Sequence, residues 1–224
     1  MLLNLEVRSQ LRDIFSKELI QPVNLKLFSQ AIGCESCQMA EELLREVTEI
    51  DPEKIKLEMY SPILDRDISD AYKVDRVPTI VIEGEKDYGI RYIGLPAGLE
   101  FTTLVQSLVQ VSKRQPKLSE RTIEILKSID LPIEIMVFVT TSCGYCPSAA
   151  LMAVNFALAS EYIRAIIVDA SENMDLAERF QVVGVPKIVI NGGLVEFVGA
   201  QPENNFLGYV IAAYEKMRRE NGQA

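Results

Sequence analysis

The sequence contains no histidine. This absence excludes Ser–His and Cys–His catalytic pairs and every histidine-ligated metal site. Basic residues are also in deficit: 23 lysines and arginines face 32 acidic residues, and the net charge is −9. That balance argues against a nucleic-acid partner, which needs a basic patch. No glycine-rich phosphate loop is present, so we expect no nucleotide or flavin site.

Long apolar runs are missing as well. The longest apolar-rich run, Ala149 to Ala159, contains Asn155 and falls short of the roughly 20 residues that cross a bilayer. Polar residues interrupt the segment from Met1 to Phe15, which therefore does not resemble a signal peptide. We expect a protein without membrane association and with a cytoplasmic location.

The four cysteines form two C-x-x-C pairs, Cys34–Cys37 and Cys143–Cys146. Each pair lies between a run predicted as a strand and a run predicted as a helix. Such pairs either hold a metal or cycle between dithiol and disulfide. Unpaired N–H groups at a helix start stabilise a thiolate, which is the reactive form. We therefore predict that Cys143 is the attacking sulfur and that Cys146 is the more buried sulfur that closes the disulfide.

The chain repeats itself with an offset that falls from 110 residues (Pro22 to Pro132) to 105 residues (Gly94 to Gly199). Loop-length differences between two copies produce such a drift. The other matched features are the two cysteine pairs, Val77-Pro78 with Val185-Pro186, Gly84 with Gly192, and Phe101 with Phe206. We predict two domains, 1–115 and 116–224, joined through the polar segment 112–118.

Apolar periodicity predicts the same order of elements in both units, β-α-β-α-β-β-α behind an extra N-terminal helix. The predicted helices are 2–19, 35–50, 65–72, 97–113, 119–129, 144–160, 173–180 and 203–219. The predicted strands are 23–28, 54–60, 78–83, 88–93, 132–139, 163–169, 186–190 and 194–198. The fold class is α/β, with each unit a mixed sheet flanked by helices on both faces.

A strand, a C-x-x-C pair at a helix start and an X-Pro strand opening about 43 residues later form the thioredoxin-like pattern. Cys34 to Pro78 spans 44 residues and Cys143 to Pro186 spans 43. A full-length tandem of such units resembles the protein disulfide oxidoreductases of hyperthermophiles, described as glutaredoxin-like or protein-disulfide-isomerase-like. The resemblance implies two thioredoxin-like domains and thiol–disulfide exchange on proteins through the cysteines themselves, without a cofactor. It also implies a cytosol in which proteins keep disulfides.

The resemblance implies cis peptide bonds before Pro78 and Pro186, which X-Pro sequences tolerate at about 0.5–1 kcal/mol. The backbone of Val185 would then lie beside Cys143 and pair with an extended substrate segment, as in strand addition. Val77 is its counterpart in the first unit. Tyr145, between the cysteines of the second pair, is a further candidate for substrate contact. Alternatively, both prolines simply begin strands, where proline is allowed.

The sequence departs from the thioredoxin-like pattern at one position. Many such proteins bury a carboxylate six residues before the first cysteine, and Val137 and Leu27 occupy that position here. Glu58 and Asp169 lie near strand ends and are candidates to relay a proton, although we favour solvated strand ends as the explanation of both. Glu35 places a negative charge beside Cys34 and is expected to raise the pKa of that thiol. The second site should therefore have the lower thiol pKa and the higher reduction potential.

Three other functions fit parts of the sequence. Two C-x-x-C pairs form a zinc site when roughly 15–20 residues separate them, whereas 105 residues lie between Cys37 and Cys143. A chaperone would share the thioredoxin-like fold but would not carry out thiol–disulfide exchange. An electron donor to a peroxidase would use the same chemistry with different partners. The resemblance implies protein thiol or disulfide substrates and a separate thioredoxin-reductase-like flavoprotein. The direction of electron flow and the oligomeric state stay open.

Overall fold

The computed structural model describes residues 2–220 and 222. The outer ends of the two predicted domains, Met1 and Ala224, lie outside the described residues. The helices are α1 Leu5–Glu18, α2 Glu35–Ile50, α3 Arg66–Tyr72, α4 Leu99–Lys113, α5 Glu120–Lys127, α6 Cys146–Ala159, α7 Met174–Arg179 and α8 Glu203–Glu220. The strands are β1 Val23–Phe28, β2 Ile55–Tyr60, β3 Thr79–Glu83, β4 Asp87–Ile93, β5 Ile133–Val139, β6 Ile163–Asp169, β7 Lys187–Ile190 and β8 Val195–Val198.

The predicted order of elements is confirmed in both units, and most bounds differ from the prediction by one or two residues. Helix α6 is an informative difference, because it begins at Cys146 rather than at residue 144. Pro147 occupies the first turn of α6, where its missing N–H would be unpaired in any case. Gly144 and Tyr145 form a turn ahead of the helix.

All eight strands belong to one sheet, in the order β2-β1-β3-β4-β6-β5-β7-β8. The sequence predicted one sheet for each unit, and the structure joins the two through a parallel pairing of β4 with β6. This pairing runs from Ile90 opposite Ala165 to Ile93 opposite Val168. It removes the two open edges that separate sheets would have left, each a row of unpaired backbone groups.

The sheet buries side chains on both faces, as predicted. In β5, Val137 and Val139 point into the larger core, which also takes side chains from α1, α2, α4, α5, α6 and α8. Phe138 points the opposite way, into a smaller cluster that includes Leu176 and Phe180 of the α7 region. This alternation follows from the two-residue period of a strand. Helices α3 and α7 therefore cover the second face.

A loop of the first unit, between β4 and α4, contacts the second unit. The N–H of Leu99 donates to the carbonyl oxygen of Thr141 at 2.9 Å, and the N–H of Leu95 donates to Glu172 Oε1 at 2.9 Å. Gly98 has φ +57°, and a Cβ there would lie 2.5 Å from the Thr141 oxygen, so the close approach requires glycine. The first unit thus supports the loop that leads to Cys143.

The division into domains 1–115 and 116–224 stays a prediction, because one sheet and one larger core span both units. Within the part of the chain that the structure describes, no helix is both long enough and apolar enough to span a membrane.

Candidate active site

The first cysteine pair lies where β1 leads into α2. Cys34 caps the helix, and its sulfur accepts a hydrogen bond from the N–H of Cys37 at 3.2 Å. Cys34 is partly exposed, whereas Cys37 is 2% exposed and packs in the first turn of α2. The two sulfurs form a disulfide. Glu35 lies between them in the chain and is exposed to solvent.

The second cysteine pair lies between β5 and α6 and forms its own disulfide. The sulfur of Cys143 accepts a hydrogen bond from the N–H of Cys146 at 3.1 Å, although Cys143 lies two residues before the capping residue Tyr145. Cys143 is partly exposed, and Cys146 is fully buried. Cys146 is therefore the more buried sulfur of the second pair, as predicted, and the first pair has the same arrangement.

Both predicted cis peptide bonds are present, at Val77-Pro78 and at Val185-Pro186. Sheet register places each beside a cysteine pair. In the second unit Lys187, the first residue of β7, lies opposite Phe138 near the end of β5, and the chain continues from there to Cys143. In the first unit Thr79 lies opposite Phe28 at the end of β1. Each cis-proline turn and its cysteine pair therefore share one end of the sheet.

The residues before the two prolines keep their backbone groups free. Among the hydrogen bonds of the described residues, none involves the N–H or C=O of Val77 or Val185. Both side chains are partly exposed, whereas both prolines are buried. Tyr145 is 75% exposed, so its ring is open to a partner. An extended peptide could form main-chain hydrogen bonds at either turn, as strand addition requires.

The predicted proton-relay candidates have other roles. Glu58 forms an ion pair with Lys26 at 2.7 Å and accepts a hydrogen bond from the hydroxyl of Tyr60. Asp169 is buried rather than solvated, so the solvated strand end is wrong for this residue. Its carboxylate accepts hydrogen bonds from the N–H groups of Ser171 and Glu172, which order the turn after β6.

Glu100 is the buried carboxyl group that sequence reasoning missed. It is 2% exposed, and its carboxylate lies near the hydroxyl of Thr103 but makes no hydrogen bond of normal geometry within the described part of the chain. Burial, together with the nearby charge of Asp169, raises the pKa of Glu100 to about 7. Glu100 lines a small cavity of about 10 Å³, close to the space that one water molecule needs.

This cavity lies at the end of β5, the strand that leads to the second cysteine pair. Its lining includes Val139, the last residue of β5, and Asp169, the last residue of β6. Three residues separate Val139 from Cys143, whose N–H donates to the carbonyl oxygen of Thr140. Glu100 itself belongs to α4 of the first unit, directly after the Leu99 contact with the second unit. A carboxyl group of the first unit thus lies close to the start of the redox loop of the second.

The sequence held only a weak signal for this placement. Glu100 is an acidic residue in the first turn of a helix, where carboxylates are common because they suit the helix dipole. At the repeat offset of 105 its counterpart is Asn205, which is exposed on α8. The repeat thus aligns a carboxylic acid in the first unit with an amide in the second. Only the structure, in which one sheet joins the two units, shows where this acid lies.

The described residues contain no group of three or more Asp, Glu, Cys or His side chains arranged to hold a metal ion. Each cysteine pair closes within itself, so the four sulfurs do not converge on one point. Each site therefore combines one partly exposed sulfur, one buried sulfur, and a cis-proline turn at the same end of the sheet. These features define a thioredoxin-like protein of dithiol–disulfide exchange.

Comparisons with known proteins agree with this class. A family model described as a thioredoxin domain matches residues 133–212. A solved structure of a protein disulfide oxidoreductase from Aeropyrum pernix K1 is 34% identical, with a TM-score of 0.88, and the match covers 96% of this chain and 95% of that one. The chain belongs to the protein disulfide oxidoreductases.

Other similar proteins carry the name alkyl hydroperoxide reductase AhpF. The AhpF protein from Pseudomonas aeruginosa is 35% identical over 106 residues, which is 47% of this chain and 20% of that protein. A structure of AhpF from Enterococcus faecalis, a C503A mutant, is 23% identical with a TM-score of 0.86 over 94% of this chain and 100% of that one, which shows a shared fold. The chain spans between a fifth and about a third of the length of such curated relatives.

Proposed function

We propose that both cysteine pairs exchange disulfides with protein substrates and that the second pair is the dominant site. The observation that carries this proposal is a partly exposed sulfur, in each unit, at the same end of the sheet as a cis-proline turn with free backbone groups. The sulfur supplies the chemistry, and the turn supplies a place for the extended substrate.

In reduction of a substrate, the Cys143 thiolate attacks one sulfur of the substrate disulfide. The substrate S–S bond breaks, a substrate thiolate leaves, and a mixed disulfide forms. Cys146 then loses its proton and attacks the sulfur of Cys143, which releases the second substrate thiolate and leaves the Cys143–Cys146 disulfide. Two electrons pass to the substrate, and oxidation of a substrate dithiol follows the same steps in reverse. Cys34 and Cys37 take the corresponding roles in the first unit.

We propose that Glu100 accepts the proton that the buried thiol of Cys146 loses. Cys146 is fully buried in apolar surroundings, which disfavour the thiolate. A carboxyl group with a pKa of about 7 is a suitable acceptor at neutral pH, because it is ionised in part of the population and returns the proton readily. The cavity beside Glu100 offers room for one bridging water.

The partners follow from the same chemistry. Electrons for reduction would come from a thioredoxin-reductase-like flavoprotein, since the C-x-x-C pairs must be reduced after each turnover. We place the protein in a cytoplasm whose proteins keep disulfides. Val77, Pro78, Tyr145, Val185 and Pro186 are the proposed substrate contacts.

We expect the second site to have the higher reduction potential. Each attacking sulfur accepts one N–H hydrogen bond, so this interaction does not distinguish the sites. The difference is the charge of Glu35 beside Cys34, where the second site has Gly144. A change of one unit in thiol pKa corresponds to about 1.4 kcal/mol, or roughly 30 mV for this couple, and solvent around Glu35 makes that an upper bound. Equilibration with glutathione buffers in single-site Cys→Ser backgrounds measures both potentials.

Two substitutions, one that removes the acidic side chain from the first site and one that introduces it at the second, provide the matched control. Glu35→Gln should raise the potential of the first site, and Gly144→Glu should lower that of the second, where a Cβ at residue 144 meets no atom within 4 Å. Equal potentials in the unmodified sites, or a more oxidising first site, would contradict the assignment.

Electron donation to a peroxidase is the second candidate function. The similarity to alkyl hydroperoxide reductase AhpF favours it, although the chain spans only 20% of the Pseudomonas aeruginosa protein. The two functions differ in their final acceptor. If the reduced protein transfers electrons to a thiol peroxidase much faster than to insulin, as followed by hydroperoxide consumption, the peroxidase role is favoured.

A further inference from the structure

A cleft of about 380 Å³ lies on the sheet face opposite the larger core, across the junction of β4 and β6. One wall is the segment 73–76, which follows α3, and the other is formed by residues 176–180 at the end of α7. None of the four cysteines and neither cis-proline lines this cleft. It is therefore separate from both redox sites.

Two arginines lie on the floor of the cleft. Arg91 on β4 pairs in register with Ile166 on β6, so the side chain of Arg164, two residues earlier on β6, points to the same face. Gly89 makes room for it: a Cβ at Gly89 would lie 2.9 Å from Cγ of Arg164. The junction of the two units thus places two guanidinium groups side by side.

Their charges are incompletely compensated. Arg91 is 4% exposed; its terminal nitrogens donate to Asp87 and to the carbonyl oxygens of Ile90 and Tyr72, and its Nε alone is buried without a partner among the described residues. Arg164 has a longer contact of 3.3 Å with Glu134. Burial and the neighbouring Arg91 lower the pKa of Arg164. A buried cation beside a partly buried one is unfavourable unless acceptors surround them.

The remaining lining adds more positive charge. Five lining residues are cationic and two are acidic. Even when Asp87 and Asp175, which pair with lining arginines, are included, five cations face four carboxylates. This surplus occurs in a chain whose net charge is −9. Between the charged groups the cleft presents apolar surface, including Ile166 and Phe180.

We propose that this cleft binds a small organic anion. Its carboxylate, phosphate or sulfonate group lies against Arg164 and Arg179, with the buried Arg91 behind them, and its apolar body packs on Ile166 and Phe180. Guanidinium groups bind such anions through paired, charge-assisted hydrogen bonds. The cleft volume falls within the range of roughly 300–1,000 Å³ that is usual for small-molecule sites.

The test uses two probes on the full chain, the fluorescent sulfonate 1-anilinonaphthalene-8-sulfonate and ADP. The sulfonate should bind at one site per chain with a Kd below about 1 mM, and ADP should displace it, whereas neutral adenosine should not. Arg164→Gln should weaken binding by about tenfold or more. Arg121→Gln, an equal charge change on an exposed residue of α5 outside the cleft, should leave binding unchanged.

Arg179→Gln is the second variant, because Arg179 is exposed on the cleft wall and its replacement does not disturb the sheet. It should also weaken binding of the sulfonate. Unchanged binding in both cleft variants would overturn the proposal. So would displacement by adenosine as effective as that by ADP, or the absence of binding of either probe below about 1 mM.

Discussion

Replacing Cys143 with serine is expected to lower the rate of insulin reduction by dithiothreitol by more than about tenfold, because the variant lacks the nucleophile of the dominant site. Cys34→Ser removes the equivalent sulfur of the other site and should cost less than about threefold. The expected asymmetry has a structural reason. The loop before Cys143 is held by Leu99 of the first unit, and Glu100 lies near the end of the strand that leads into it.

The paired variants control for each other, since both remove one partly exposed sulfur and one disulfide. Thermal unfolding of both should be compared before the rates are interpreted. Full activity of Cys143→Ser, or a larger loss in Cys34→Ser, would contradict the dominance of the second site.

Glu100→Gln should slow the step in which Cys146 closes the disulfide by roughly 100-fold, the lower end of the range for general acid–base catalysis. Glutamine keeps the shape of the side chain but accepts no proton. In the wild type this step should accelerate as pH rises through about 7, where Glu100 becomes ionised, and the variant should lose that part of the pH profile. Single-turnover stopped-flow measurements between pH 5 and pH 9 follow the step.

Protein stability gives an independent measurement of the same group. The pKa of Glu100 is raised from 4.5 to about 7 in the folded chain, so its contribution is fully present below pH 4.5 and is lost as pH rises through 7. The loss amounts to at most about 3 kcal/mol in the free energy of unfolding. Urea unfolding of the wild type should show this decline, and Glu100→Gln should not.

Glu124→Gln is the matched control, because Glu124 is an exposed residue on α5. It should change neither the pH profile of the step nor the pH dependence of unfolding. If Glu100→Gln matched this control in both measurements, Glu100 would have no part in proton transfer.

Much of the fold could be predicted because its causes are local. Strand and helix periods, the cysteine spacing and the proline positions recur in both halves, and the resulting elements agree with the structure to within about two residues at most ends. Both cis peptide bonds were expected from the family resemblance, which rests on the nearly equal spacing from Cys34 to Pro78 and from Cys143 to Pro186.

The joining of the two units could not be predicted from the same signals. The alternation of side chains along β4 does not indicate which strand pairs with its open edge. The partner is β6, and this pairing depends on how the two complete units meet. Both the Glu100 cavity and the Arg91–Arg164 cleft are consequences of that junction. The positions that the thioredoxin-like pattern reserves for a carboxylate, at Leu27 and Val137, are apolar in both units.

Trapping of the mixed disulfide tests the central claim most directly. In a chain that lacks the first pair (Cys34→Ser, Cys37→Ser), adding Cys146→Ser should leave Cys143 free to capture insulin in a stable mixed disulfide, which mass spectrometry locates on Cys143. Adding Cys143→Ser instead should give almost none, because the sulfur of Cys146 is fully buried. Equal capture through Cys146, or no adduct on Cys143, would contradict the account.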